Sequence, residues 1–445
     1  MAEKGNEQGK GVGRVLNTEM RQFSNNLIAL RGFVDITEQF LSASAEERLS
    51  EHSDALAPLR LAMLRLNPEM CPEDDDREKL EEYCKERGIE LAAKEGKESD
   101  PKSFNVQFSD SKTAASLRNA LRAMSRMEYQ TKHMYCSALI SLVSSAEWFL
   151  SRLLHAHYKV HPKVVTDTDK CLSLQDLMNI GSLDDARDYI IATKVEEQLR
   201  GGFEVWVVSL KKLLKLSMGY LDALKPALVE VYQRRNLLVH CDGVVNTQYM
   251  TLVRESEREG VSVGDQLAVS HDYIDRAIST FERALLLIAA EYWKREVPED
   301  ALRPRALIDI SYEHLAAERW DVAESLSRFM MTDARVSESM RLSGRLNYWQ
   351  SLKWQGRFAE VEDEVAGTDM SAKDEIYVLA KAALLDDEKQ FFELLPTLIR
   401  SHKIARDMLE DWPVFRAMRE TEAYTQNYEG CDDVWPEDED SGSDA

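Results

Sequence analysis

Apolar residues recur at steps of three and four along most of this chain, and that spacing restricts the fold more than any other feature of the sequence. A period near 3.6 gathers side chains onto one side of a helix, whereas a half-buried strand needs a period of two. Between Val15 and Leu66 the series Phe23, Leu27, Leu30, Phe33, Ile36, Phe40 and Leu41 predicts an amphipathic helix followed by a second. From Thr113 to His157 a longer series, with Leu139, Leu142, Val143, Trp148, Phe149, Leu150, Leu153 and Leu154, supplies a face broad enough for a core helix. Further helices are expected at 173–179, 183–199, 204–216, 226–240 and 272–296, with Pro226 suited to a first helical position and Gly201-Gly202 as a break. The expected class is all-α, and 445 residues suffice for two or three domains.

Composition shifts divide the chain further. Residues 1–13 are rich in Gly and Lys and are expected to be disordered; their Gly-Lys-Gly-Val-Gly lacks the Gly-Lys-Ser/Thr ending of a phosphate loop. A helical region, 14–70, leads into an acidic and polar linker, 71–111, with one short helical patch around Arg77 to Arg87. The central helical domain spans 112–297, with an irregular or strand-like stretch after Gly243. From 298 to 415 the text repeats weakly: His314 to Trp320, Leu352 to Phe358 and Ala383 to Phe391 each end one helix and open the next with an aromatic. The separations resemble tetratricopeptide-like repeats, although no unit carries the full signature and a plain bundle stays open. Residues 416–445 read as an acidic disordered tail.

Charge and cysteine usage narrow the function classes. A formal charge of −23 argues against a general nucleic-acid coat, because nonspecific affinity for phosphate chains comes from Lys and Arg releasing counterions. Contact with RNA must then be local, and Arg234, Lys211, Lys212 and Lys215 are the basic candidates. The six cysteines are scattered, so neither disulfides nor a zinc site is expected, and His155, His157 and His161 read as surface histidines without a carboxylate partner. No apolar run approaches the roughly 20 residues that a spanning helix needs, and the polar start lacks a signal-peptide centre. The expected compartment is the cytoplasm, away from membranes.

One segment carries chemistry, Arg234-Arg-Asn-Leu-Leu-Val-His240. Leu228, Val231, Arg235 and Leu238 follow at steps of three and four, so Arg235 occupies the phase of a buried stripe, where a guanidinium needs a partner or a groove. Asn236 and His240 lie one turn apart, while Arg235 and His240 converge only if the helix loosens or a second copy contributes. Gly243 is expected to cap the helix in the left-handed conformation, which puts His240 in its last turn, a place suited to acid–base work. RNA brings its own nucleophile, the 2′-hydroxyl. Cutting it takes a group to move the proton, a cation to hold the phosphate and a polar group to orient them, and His240, Arg235 and Asn236 are of those types.

Arg235-Asn-x-x-Val-His240 at the end of a core helix resembles the Arg-x4-His motif of the HEPN superfamily. Its surroundings are similar as well: Ala146-Glu-Trp-Phe149 in the long helix, Glu230 before the motif and Gly243-Val-Val-Asn246 after it. The resemblance covers about 112–296. It implies a HEPN helical bundle that pairs into a homodimer with a composite cleft, and a metal-independent endoribonuclease leaving 2′,3′-cyclic phosphate and 5′-hydroxyl ends. It assigns Arg235, Asn236 and His240 as catalytic and Glu147 as an accessory acid, with RNA rather than DNA as substrate and with no cofactor or metal. Similar proteins serve as toxins or antiphage effectors, with the helical repeats receiving a protein partner or trigger. Asp411-Trp-Pro-Val-Phe415 is similar to a segment that closes the helical array in some of them. Other members are noncatalytic RNA-binding or protein-interaction scaffolds, and that reading stays open beside the nuclease.

Overall fold

The computed structural model describes residues 2–66, 74–94, 103–166, 172–258, 260–370 and 373–429. It is all-α apart from one two-stranded sheet. Helix α1 (Ala2–Glu51) is followed by α2 (Ser53–Leu66), α3 (Asp74–Glu86), the strands β1 (Ile89–Lys94) and β2 (Ser103–Phe108), and α4 (Ser111–Val160). Both α1 and α4 run for 50 residues, about 75 Å at about 1.5 Å per residue. Short helices α5 (Pro162–Thr166) and α6 (Leu174–Ile180) lead to α7 (Leu183–Leu199), α8 (Phe203–Leu214), α9 (Lys225–Cys241), α10 (Thr247–Leu252) and α11 (His271–Glu296). Then come α12 (Leu302–Ala316), α13 (Trp320–Met331), α14 (Glu338–Trp354), α15 (Glu362–Gly367), α16 (Glu375–Leu384), α17 (Glu388–Arg400), α18 (Arg406–Asp411), α19 (Arg416–Arg419) and α20 (Glu422–Asn427). No helix among the described residues is long and apolar enough to cross a membrane.

The chain forms two compact units. One consists of 28–141 with 266–274; the other takes the residues up to 27, 142–265 and those from 275 onward. In the first, β1 and β2 pair antiparallel with Ile89 opposite Phe108 and Leu91 opposite Val106. Their apolar members, with Leu80 and Tyr83 of α3, pack on Leu61 and Cys84. The acidic linker expected at 71–111 is therefore folded over 74–94 and 103–108; its remaining residues before Ser109, 71–73 and 95–102, lie outside the described ones. The reason is visible in the alternation: Ile89, Leu91, Val106 and Phe108 turn inward while Glu90 and Gln107 stay exposed, a short period-two pattern that the surrounding charge conceals.

In the second unit aromatic rings fasten the long helices. Phe23 of α1 stacks on Phe149 of α4 at 4.5 Å, and Phe281 of α11 meets Phe203 of α8 at 5.9 Å. Trp206 of α8 meets Tyr232 of α9 edge-on at 5.2 Å, two residues before Arg234. The expected boundary at 297 does not separate this unit, because Ser24, Glu282 of α11 and His314 of α12 hydrogen-bond one another in a fully buried cluster.

The aromatic-opened repeats are helix pairs with one shared turn. Arg319 N–H returns to His314 C=O at 2.8 Å, Arg357 to Leu352 at 2.9 Å and Asp387 to Ala382 at 2.9 Å. The residue before each donor has a positive φ, 58° at Glu318, 71° at Gly356 and 54° at Asp386. This is the six-to-one closure that satisfies a helix's last carbonyls. Only Gly356 adopts that φ without a side-chain penalty. Two other expectations are corrected: residues 2–13, expected to be disordered, form the first turns of α1, and 416–429, expected in the tail, contain α19 and α20. The stretch after Gly243 is irregular to strand-like as expected, with Val245 N–H donating to Asp265 C=O at 2.8 Å and Gly264 N–H to Val245 C=O at 2.9 Å, and it also holds the six-residue α10. The acidic residues 430–445 lie outside the described ones.

Candidate functional site

Helix α9 carries the motif and is buried on more than one side, with Leu228, Val229, Glu230, Val231, Tyr232, Arg234 and Leu237 inside. Pro226 occupies its first turn, where a missing N–H costs nothing. At the other end the left-handed cap is Asp242, at φ 48°, and Gly243 follows at φ 79°, donating to Leu237 C=O at 3.0 Å. The glycine expected as the cap is thus the second of two left-handed residues. His240 stands in the last turn, and the chain then turns into Asn246, whose side chain caps α10 by accepting from Tyr249 N–H at 2.9 Å.

The two consecutive arginines diverge. Arg234, expected at an RNA surface, is 3% exposed and donates from Nε to Glu230 Oε1 at 2.7 Å. The Tyr249 hydroxyl donates to the same oxygen at 2.8 Å, so α10 is bound to α9 by a buried acid–base–phenol group. Arg234 is therefore a core residue, because a buried guanidinium that left this partner would strand Glu230. Burial also raises the Tyr249 hydroxyl pKa, with Glu230 adding to it.

Arg235 lies at a half-open edge with its side chain 18% exposed. Nη2 donates to Glu147 Oε1 of α4 at 2.9 Å, Nη1 donates to Asn236 Oδ1 at 3.0 Å, and the guanidinium lies 5.3 Å from the Tyr232 ring centre. Its Nε is buried and has no partner among the described residues. Burial raises the Tyr232 pKa, and the nearby Arg235 opposes that rise. Of the sequence candidates the structure thus brings Arg235, Asn236 and Glu147 together. Glu147 stands as the residue that holds Arg235, not as a free acid. Tyr232, three residues before Arg235, was not among the candidates, although the spacing of three on one helix would have found it.

His240 is exposed and makes no hydrogen bond among the described residues. Large apolar side chains near these residues in sequence are partly exposed: Val239 is 48% exposed, Val244 37%, and Trp148, next to Glu147 in sequence, 36%. At about 100° per residue, Arg235 and His240 project from the helix about 140° apart, so this chain alone does not aim both at one point. Lys211, Lys212 and Lys215 are exposed at the end of α8, and the residues flanking them are tied to the last turns of α11, where Arg295 donates to Leu214 C=O and Ser217 N–H to Glu291 at 2.8 Å. No contact joins these lysines to the Arg235 group among the described residues.

The histidines expected at the surface need correction too. His157 is 3% exposed, and burial, with His161 and Arg295 adding to it, pushes its imidazole down to about 4. His161 meets Glu296 of α11 at 2.8 Å, the carboxylate partner that is invisible in sequence because it arrives from another helix. No protein-family model, curated protein or solved structure matches this chain.

Proposed function

We propose that this chain is a metal-independent endoribonuclease of the HEPN type, in which Arg235, Asn236 and His240 act on RNA across a pair of identical chains. The observation that carries the reading is Arg235 held by Glu147 and Asn236 at the edge of α9, five positions from an exposed histidine at its end. A guanidinium has five N–H groups, and the contacts to Glu147 and Asn236 use one hydrogen on each terminal nitrogen, which leaves another on each for phosphate oxygens. His240 moves the proton of the attacking 2′-hydroxyl or of the leaving 5′-oxygen, and Arg235 neutralises the charge that gathers on phosphorus oxygens as the cyclic phosphate forms.

The angular separation of Arg235 and His240 supports the paired arrangement. The exposed apolar side chains Val239, next to His240 in sequence, and Trp148, next to Glu147 in sequence, would suit burial against a second copy. Helix pairs downstream of α11 offer a surface for a protein trigger, and a role as a toxin or antiphage effector accords with RNA cutting that must be held in check.

The test is cleavage of end-labelled total RNA by the purified full chain in EDTA. Fragments ending in 2′,3′-cyclic phosphate are expected, and His240→Ala and Arg235→Ala should each reduce them by about 100-fold or more. Intact RNA with the wild type, also after addition of cell or phage extract as activator, would establish instead the noncatalytic RNA-binding or interaction scaffold.

A further inference from the structure

At the C-terminal ends of α4 and α11, His157, His161 and Glu296 bring their ligand atoms within 4.8 Å of one another. We infer that these three side chains form a binding site for one divalent transition ion of the zinc class, fastening the last turns of α4 to those of α11. His157 in the last turn of α4 and His161 just past its end, whose N–H still donates to His157 C=O at 2.9 Å, stand one helical turn apart, the spacing by which a helix offers two imidazoles to a single ion. Glu296, the last residue of α11, adds a carboxylate whose side chain is 9% exposed. Two neutral imidazoles and one carboxylate make a donor set that zinc takes readily, leaving one position for water.

A second observation is independent of the clustering. His157 is almost wholly buried, yet its Nε2 has no hydrogen-bond partner among the described residues. Its Nδ1 lies 3.2 Å from the Tyr292 hydroxyl. With Nδ1–H donating to that oxygen, the Nε2 lone pair is free, and a phenol orienting the far nitrogen is the outer support that metal-bound histidines ordinarily have. A buried ring nitrogen without a partner costs free energy, and an ion would remove that cost. Ligand atoms around tetrahedral zinc stand about 3.3 Å apart at bond lengths of about 2.0 Å. The His161–Glu296 contact of 2.8 Å must therefore open slightly, and His157 Nε2 must approach. Arg295 is the opposing cation nearby, 4.0 Å from the Glu296 carboxylate, but it also donates to Leu214 C=O.

The site lies about 15 Å along α4 from Glu147, at about 1.5 Å per residue, so its ion takes no part in the proposed cleavage. Its effect is on the helix pair that carries Glu147. The probe is Co2+ added to the untagged, EDTA-stripped and desalted full chain, followed by visible absorption and then by displacement with Zn2+. One Co2+ per chain with an intense tetrahedral spectrum is expected. His161→Gln and Glu296→Gln should each weaken binding by about 100-fold or more, and Tyr292→Phe by about 10–100-fold, while His155→Gln on the same helix leaves it unchanged. Substitution of buried His157 tests folding as much as binding, so the more open His161 and the terminal Glu296 carry the test, with circular dichroism to verify helix content. Uptake of no ion by the wild type, or equal affinity in His161→Gln and Glu296→Gln, overturns the inference. Because the readout is metal binding, its failure leaves the nuclease proposal intact, and failure of RNA cleavage leaves this site intact.

Discussion

Arg234 and Arg235 differ by about 100° of helix rotation, and that rotation gives them opposite environments. One is sealed against Glu230 and Tyr249 in the core, and the other reaches Glu147 at a half-open edge. The partner that holds Arg235 also competes with phosphate for it. Glu147→Gln keeps an oxygen for Nη2 while removing the charge, and a partly exposed ion pair is worth up to about 1 kcal/mol. The expected outcome is RNA affinity raised by about threefold to fivefold with cleavage retained, measured by filter binding alongside the cleavage assay. Abolished cleavage at unchanged affinity would instead make Glu147 a proton-transfer group.

At the scale of helices, the joint between α11 and α13 depends on one buried ion pair. Arg303, at the start of α12, donates to Asp333 at 2.7 Å and also to the carbonyls of Val297 and Pro298, while Lys294 of α11 lies 3.6 Å from the same carboxylate. Burial pushes the Asp333 carboxyl up, but the Arg335 backbone N–H, Lys294 and Arg303 together outweigh it and hold the group below its ordinary range. A carboxylate whose folded pKa is depressed contributes stability above its unfolded pKa, about 3.9, and loses it as pH falls toward the folded value. Asp333→Asn should therefore destabilise the protein by about 3 kcal/mol at neutral pH, since it leaves Arg303 buried without its counterion. In urea unfolding the difference from wild type should shrink below about pH 4. A gap that stays constant down to pH 3 would remove the ion pair as its cause.

At the scale of the whole molecule, net charge and the proposed pairing act together. A net charge of −23 works against nonspecific binding of phosphate chains, so the proposed RNA binding would have to depend on the proposed composite cleft and not on bulk attraction. Val239, the residue before His240, is an apolar side chain 48% exposed and has no part in the proposed chemistry. Val239→Asp is expected to convert a two-chain species into single chains in analytical ultracentrifugation and to remove RNA cleavage with it. Cleavage by a species that sediments as one chain would show that the site needs no partner copy.

The longer helices were legible, because a 3.6-residue apolar period is a local property: 183–199 was located to the residue and the aromatic openings of α13 and α17 to within a few residues, whereas the short helices α10, α19 and α20 carry too few turns to show a period. The place of His240 in the last turn of α9 was legible for the same reason. What the sequence could not determine is where a side chain from another helix arrives. Glu147 on Arg235, Tyr249 on Glu230 and Glu296 beside His161 join positions 88, 19 and 135 residues apart, and no local period encodes such a meeting. The hairpin at 89–108 was concealed for a related reason, since strands of six residues become strands only when paired and packed on Leu61 and Cys84. Local sequence determined which residue types stand in the segment 234–240; tertiary packing alone decided that Arg235 is held at an edge and that Arg234 lies in the core, because burial and ion pairing depend on all the helices at once.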